Sequence, residues 1–162
     1  MMIRRMQSTD VDAVMDIFNY YIEHTNCNWQ REVRPKAYYE KWFDTHEKTY
    51  PAFVLEDEGK VVGFACNSIF RDKVDGYDRV VENTLYILPE YQGKGGGKML
   101  MQAIIAQARE ANLWTISAWI DSNNQSSIAF HQAFGFYETG MMKRVGNKGG
   151  QRLSVSILQL DL

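Results

Sequence analysis

Four glycines fall within five positions of the chain, at Gly93, Gly95, Gly96 and Gly97. They follow an apolar run, Val80 to Leu88, that Pro89 ends, and they precede a run whose Leu100, Ile104, Ala108 and Ala111 share one helical face. A strand, a glycine-rich turn and a helix therefore stand in direct succession. Glycine admits positive φ and lets backbone come close to a ligand. The first N–H groups of a helix have no partners inside it, and with the helix dipole they favour an anion, most naturally a phosphate. Single residues exclude two familiar phosphate loops. A nucleoside-triphosphate loop ending at Gly97-Lys98 needs glycine where Gln92 stands, and Ser or Thr where Met99 stands. A dinucleotide fingerprint beginning at Gly93 and Gly95 needs glycine where Lys98 stands.

The remaining elements follow from periodicity. Residues 2–6 alternate weakly and read as a short strand. Thr9 as N-cap, with Asp12 completing a capping box, opens a helix that carries Val14, Ile17, Phe18, Tyr21 and Ile22 on one stripe. After an irregular polar stretch at 25–34, Pro35 opens a second helix with Tyr38, Tyr39, Trp42 and Phe43. The runs Ala52–Leu55 and Val61–Cys66 form a hairpin around Glu58-Gly59-Lys60, and 72–79 is a loop. Beyond the glycines come the helix, a strand at 115–120, a polar turn at 121–125, and a helix at 126–134 closed by Gly135. Two strands, 136–145 and 153–161, are joined by a loop at 146–150. The order is β-α-α-β-β-β-α-β-α-β-β, with no repeat or linker. Hairpins mixed with crossover helices imply an α+β (α/β) fold, a mixed sheet with helices packed on its faces.

Composition narrows the partners. At about 100–200 residues per domain, the 162 residues are expected to form one domain, 1–162. With 18 Lys+Arg against 20 Asp+Glu there is no basic footprint for nucleic acid. No apolar run approaches the ~20 residues of a membrane helix. The basic start, Met1-Met2-Ile3-Arg4-Arg5, lacks the apolar stretch of a secretory signal. Cys27 and Cys66 cannot build a disulfide framework, so a cytoplasmic location is expected. His24, His46 and His131 show no metal-ligand spacing.

The stretch Gln92-Gly93-Lys94-Gly95-Gly96-Gly97 resembles the Q/R-x-x-G-x-G/A loop of the GNAT (Gcn5-related) N-acetyltransferases. The likeness also runs through Val81-Glu82-Asn83-Thr84-Leu85-Tyr86-Ile87, Pro89, Ser122-x-Asn124-x-x-Ser127-Ile128, His131 and Gly135-Phe136, and covers most of the chain. Within the family it is similar above all to phosphinothricin and methionine-sulfoximine acetyltransferases and related amino-acid N-acyltransferases. The resemblance implies a twisted, mostly antiparallel mixed sheet of about seven strands with helices on both faces. It implies acetyl-CoA as co-substrate, no metal, a small-molecule amine as acceptor, and a homodimer. The loop from Gln92 through Gly93, Lys94, Gly95, Gly96 and Gly97 to Lys98 is expected to hold the pyrophosphate. The backbone of Leu85, Tyr86 and Ile87 is expected to splay from its neighbour and hold the acetyl and pantetheine arm. Asn124 and Ser127 suit helix capping, and the resemblance adds a contact to the same arm.

Acetyl transfer to an amine needs a proton acceptor, stabilisation of the carbonyl oxygen, departure of the thiolate and in-line placement. Direct attack is expected, since Cys66 lies in an apolar run and reads as a small core residue. Glu82 interrupts an apolar strand and is the candidate general base; the plainer alternative is an outward-pointing residue on an alternating strand. His131 is either an acid toward the leaving thiolate or a satisfied histidine at a helix edge, and many family members carry tyrosine there. Phe70, Arg71, Asp75, Gly76 and Tyr77 precede Glu82 in a loop, and Trp29 lies in the irregular stretch. All six are substrate-pocket candidates, with Arg71 suited to a carboxylate or else simply exposed. Two other readings stay open: a sensor that binds acyl-CoA without turnover, and an acetyltransferase for proteins or peptides.

Overall fold

Alternation along the strands builds one sheet with both faces covered. The computed structural model describes residues 1–162. Its elements are β1 (Met2–Arg5), α1 (Val11–His24), α2 (Lys36–Lys48), β2 (Phe53–Asp57), β3 (Lys60–Ile69), β4 (Val80–Ile87), α3 (Gly96–Glu110), β5 (Thr115–Asp121), α4 (Gln125–Gln132), β6 (Tyr137–Lys148) and β7 (Gln151–Asp161). The seven strands lie in the order β1-β2-β3-β4-β5-β7-β6. Every neighbouring pair is antiparallel except β4–β5. This is the mixed sheet that the order of elements implies, with the mostly antiparallel pairing that the resemblance implies.

Two cores follow from the two faces. Val54, Val61, Phe64 and Cys66 pack with Val14, Ile17 and Tyr21 of α1 and Tyr39 and Phe43 of α2. Leu55, Val62 and Ala65 pack on the other side with Leu100, Met101, Ile104, Ile105 and Ala108 of α3. Strict alternation would put Val61 and Phe64 on opposite sides; a bulge brings them to the same one, since Leu55 pairs Gly63 while Glu56 pairs Val61. Burying one such aliphatic side chain stabilises by about 1.5–3 kcal/mol. The buried stripe of α3 thus fixes the start of that helix, and with it the glycine turn, against the sheet.

Two local expectations are corrected. The first helix is not opened by Thr9 and Asp12. A short 3-10 turn, Ser8–Asp10, precedes it, and the Gln7 N–H donates to the Asp10 carboxylate at 2.8 Å. Asp10 is claimed by Arg4 of β1, whose guanidinium reaches both of its oxygens at 2.7 and 2.9 Å, while Asp12 lies outside and pairs with Lys36. The last hairpin is also tighter than the loop expected at 146–150. Strands β6 and β7 continue to Lys148 and Gln151, and the turn is Gly149-Gly150, with φ of 56° and 78°.

Candidate active site

Strand β5 pairs with β4 only over Val80, Val81 and Glu82, which face Thr115, Ile116 and Ser117. Beyond that point the two parallel strands separate, while β4 stays paired to β3 as far as Ile87. The gap is a cleft of about 630 Å³ that runs from Glu82 to the start of α3. Its walls include Leu85, Tyr86 and Ile87 on one side, Trp119 and Asp121 on the other, and Gln92, Gly93, Gly95, Gly97 and Lys98 at the far end. Asn124, Ser127 and His131 of the α4 region complete it.

The four glycines do different work. Gly93 and Gly95 have φ of +71° and +87°, a left-handed backbone that side chains resist, and a Cβ at either would meet nothing within 4 Å. Gly95 is the N-cap of α3 and offers no side-chain cap, which leaves the first amides of the helix open to the cleft. Gly96 lies outside the cleft walls, and a Cβ there would strike Leu55 of the core. Gly97 lines the cleft, and a Cβ would meet Phe130 only at 3.4 Å. Lys98 lines the cleft, whereas Lys94 lies over the Tyr91 ring at 5.2 Å and outside its walls. Gln92 turns inward: its amide donates to the Tyr21 hydroxyl at 2.8 Å and to the Ile87 carbonyl at 3.0 Å. It fastens the glycine turn to the end of β4.

Glu82 sits where the strands part, and burial raises its carboxyl above the ordinary value of 4.5. No cation pairs with it, so burial is the only cause of the shift. Asn83, the next residue of β4, is bonded to His131 of α4. The His131 ring has Nδ1 at 2.8 Å from the Ser127 carbonyl and Nε2 at 3.0 Å from the Asn83 amide nitrogen. A carbonyl only accepts, so Nδ1 carries the proton and donates it there. Nε2 is then the acceptor, and Asn83 donates to it. Burial lowers the His131 pKa below 6.5 and keeps this ring neutral. Asn124 caps α4 by accepting from the Ser127 N–H at 3.1 Å, and its own amide donates to Cys27 Sγ at 3.2 Å.

The substrate candidates fall into two places. Trp29 walls a recess beside the cleft, with its indole N–H donating to Asp121 at 3.2 Å. Phe70, Arg71 and Tyr77 lie outside the cleft walls as a packed group: Phe70 meets Tyr77 edge to face at 5.3 Å, and the Arg71 guanidinium lies 5.7 Å from the Tyr77 ring centre. Phe70 links this group to the cleft through Trp119, at 6.4 Å between ring centres. Asp75 and Gly76 are exposed in the 3-10 turn that also carries Tyr77.

Residues 14–136 match the model of the acetyltransferase (GNAT) family. The chain belongs to the GNAT family. It is 34% identical to the L-amino acid N-acyltransferase MnaT of Escherichia coli, over all of this chain and 94% of that one. Among solved structures, it superposes on a ribosomal-protein-alanine N-acetyltransferase from Brucella melitensis with a TM-score of 0.97, 31% identity and full coverage of both chains. A phosphinothricin acetyltransferase from Sinorhizobium meliloti, solved in complex with AcCoA, gives a TM-score of 0.95 at 29% identity, covering 99% of this chain and 88% of that one. In this GNAT chain several cleft residues were not singled out from the sequence. Tyr21, Asn83, Trp119, Asp121 and Phe130 all line it. Trp119 and Asp121 stand in β5 at alternate positions from Ser117, which faces Glu82, so strand parity places them on the Glu82 side.

Proposed function

We propose that the protein transfers the acetyl group of acetyl-CoA to the α-amine of an amino acid or an analogue such as phosphinothricin or methionine sulfoximine. One observation carries this reading: the unpaired, half-buried Glu82 carboxylate lies at the head of a cleft that ends on the open amides of α3. The cleft suits the co-substrate. Its glycine end has uncapped helix amides and Lys98 for phosphates, and its length along β4 offers backbone that β5 leaves unpaired beyond Glu82.

Acetyl-CoA, when bound, supplies an acetyl group activated as a thioester. Glu82 accepts the proton that an α-ammonium, with a pKa of about 8, must lose before its nitrogen attacks. A raised carboxyl pKa brings Glu82 closer to that task. Backbone N–H groups on the free side of β4 stabilise the carbonyl oxygen as it gains charge. His131 is neutral with both ring nitrogens committed, so it orients Asn83 rather than delivering a proton. Neither thiol suits a covalent route. Cys66 is fully buried and its pKa is pushed up to about 12, and Cys27 has no base beside it. Transfer is therefore direct.

The test is thiol release from acetyl-CoA over a panel of free amino acids, with Glu82→Gln beside the wild type. Glu82→Gln is expected to keep acetyl-CoA binding and lose about 10²–10⁴-fold in turnover. Unchanged turnover removes Glu82 from the mechanism. Acetyl-CoA binding with no acceptor turned over supports a binding-only role. The likeness to the Brucella protein favours a second reading, acetylation of a protein N-terminus, because the nucleophile is also an α-amine. A peptide beginning with alanine belongs in the same panel.

The whole chain, 1–162, acts as a single domain in this reading, held by one sheet between both cores. Two free thiols suit a reducing cytoplasm, and a net charge of −2 suits a small-molecule partner rather than nucleic acid or a membrane. A homodimer is supported by the edge strand β6, which exposes Tyr137, Met141 and Val145.

A further inference from the structure

Glu82 shares its face of the sheet with a hydrogen-bonded pair that lies outside the cleft walls. Ser68 of β3 stands directly across from Glu82 in the antiparallel ladder, which puts their Cβ atoms about 4.5–5.5 Å apart on one face. That face is turned to α1 and α2, since Phe64 and Cys66, at alternate positions from Ser68, pack there. From α2, His46 reaches the Ser68 hydroxyl, with Nε2 at 3.0 Å from Oγ. We propose that His46 is a positioning residue for Glu82: it draws the Ser68 hydroxyl proton toward itself, so that Ser68 presents Glu82 with an acceptor and not a donor. The inference rests on the proton-accepting role of Glu82 given above and adds what keeps that carboxyl fit for it.

The protons follow from the partners. The other ring nitrogen of His46, Nδ1, lies 2.9 Å from the Trp42 carbonyl one turn back. A carbonyl only accepts, so Nδ1 carries the ring's proton and Nε2 is left as an acceptor. The Ser68 hydroxyl is then the donor to Nε2, and only its lone pairs remain for Glu82. Packing holds the ring in this role: it is buried and lies on the Trp42 ring, 4.3 Å between centres. Burial also lowers its pKa, which keeps it neutral.

A hydroxyl that donates to a carboxylate favours the charged form. Here that bond is withheld, and burial alone acts on Glu82 and raises it. The other titratable groups around this face leave it so. Cys66 of β3 and Tyr86 of β4 are pushed up by burial, the thiol to about 12, and stay neutral. Tyr21 of α1 donates to the Ile87 carbonyl, and Asp121 of β5 accepts from Trp29 and Asn123. His131 of α4 holds Asn83, on the opposite face, and Arg71 lies over the Tyr77 ring. On the β5 flank, Ser117 accepts the Trp119 indole N–H at 2.9 Å. Ser68 is thus the neighbour whose donor is held off by one identifiable side chain. A carboxyl kept closer to the range of its amine is the better proton acceptor.

The experiment follows the Glu82 carboxyl by ¹³C NMR over pH, beside the acidic limb of kcat/KM for the best acceptor of the panel above. Wild type, His46→Leu and His46→Leu/Ser68→Ala are compared. In His46→Leu the freed hydroxyl turns to Glu82, and both the carboxyl titration and the limb should move down by about one pH unit, the order of a hydrogen bond to a charged group. The double variant should cancel most of that shift, because no hydroxyl remains to donate. If His46 served packing alone, leucine, being more apolar, would leave Glu82 where it is or raise it. A carboxyl titration unmoved or raised in folded His46→Leu therefore overturns the proposal, and so does a downward shift that persists in the double variant. Should His46→Leu not fold, the ¹⁵N shifts of the His46 ring in the wild type decide. A proton on Nδ1 with a bare Nε2 is the expected result, and a proton on Nε2 overturns it. Failure of the underlying reading looks different: the carboxyl titration moves while the limb stays, or no acceptor is turned over. Either result removes Glu82 from the reaction, and the role of His46 with it.

Discussion

Replacing Gly63 with alanine tests how closely β3 and β4 must approach at the end of the cleft. Gly63 pairs with Ile87, and a Cβ on it would lie 2.8 Å from Ile87 Cγ1, 2.9 Å from the Tyr86 carbonyl oxygen and 3.3 Å from Ile87 Cα. Two of those atoms are backbone and cannot rotate away. The Leu88 N–H donates to the Val62 carbonyl at 2.9 Å, and the Ile87 carbonyl accepts from Gln92 at 3.0 Å, so the end of β4 is held from both sides. Overpacking of this kind costs about 1–3 kcal/mol. Loss of glycine's extra unfolded-state freedom offsets about 0.4–1 kcal/mol of it. The net destabilisation is about 1–2 kcal/mol, which lowers Tm by roughly 2–8 °C in a chain of this length. Because Ile87 anchors Gln92, KM for acetyl-CoA should rise as well. Circular dichroism melting and thiol-release kinetics measure both, with Gly97→Ala as the comparison. A Cβ at Gly97 meets Phe130 at 3.4 Å and Ile87 at 3.6 Å, ordinary contact, and should leave Tm level or higher. A Gly63→Ala protein that melts no lower than wild type would refute the reasoning.

The Glu82 carboxyl is raised by burial in the folded state, so the folded protein keeps a proton that the unfolded chain has released above about 4.5. Stability therefore declines as pH rises through that window. Glu82→Gln should flatten that decline in Tm measured against pH, and a decline of unchanged slope in the variant would assign it to another group. His131→Gln is expected to cost about 1–3 kcal/mol, as the donor Asn83 and the Ser127 carbonyl lose their partner. The shape of the kcat–pH profile should survive it, and a lost basic limb would instead make His131 the proton donor. Lys148→Met removes an ammonium that binds three carbonyls around the 25–34 segment. It should raise KM for the amine far more than KM for acetyl-CoA, and equal changes in both would mean that Lys148 serves the fold generally.

What could be read from the sequence was what depends on near neighbours. The stripe Val14–Ile17–Phe18–Tyr21 needs only helical period, and each of Val14, Ile17 and Tyr21 is buried. Asn124 was legible as a cap because capping is a contact within three residues, and its oxygen does accept from the Ser127 N–H. The errors came from distant partners. Thr9 looked like a cap until Arg4, from a separate strand, drew Asp10 into place. Gly146 looked like a loop residue because of the glycines around it. It lies in a strand, paired with Leu153, and the Trp29 ring occupies the space its side chain would need. The Asn83–His131 bond spans 48 positions, so no local pattern announces that the ring is already committed at both nitrogens. Phe70, Arg71 and Tyr77 were legible as an aromatic and basic group, but their contact with the cleft runs through Trp119, a strand away.

The end of the β4–β5 ladder and the position of Glu82 belong together physically. Had β5 stayed paired along β4 to Ile87, the backbone of both strands would be satisfied, and no cleft would separate Leu85 from Ile120. Instead the ladder stops at Glu82, leaving β4 without a strand partner on that side from Asn83 onward. Unpaired backbone at a buried edge is unfavourable unless something binds there. The same location holds a carboxylate that burial penalises and no cation relieves. Two departures from stable construction at one point have a common relief. A thioester arm lying along β4 would satisfy the free backbone, and an amine held at Glu82 would give the carboxylate a partner. On that account a saturating acyl-CoA should raise Tm beyond what occupancy of the glycine loop alone provides. CoA fragments test it: adenosine 3′,5′-bisphosphate, which lacks the arm, should stabilise markedly less than acetyl-CoA at equal free concentration, because stabilisation grows with the ratio of concentration to Kd. Equal shifts from both would mean that the open strand edge is not where the binding energy is gained.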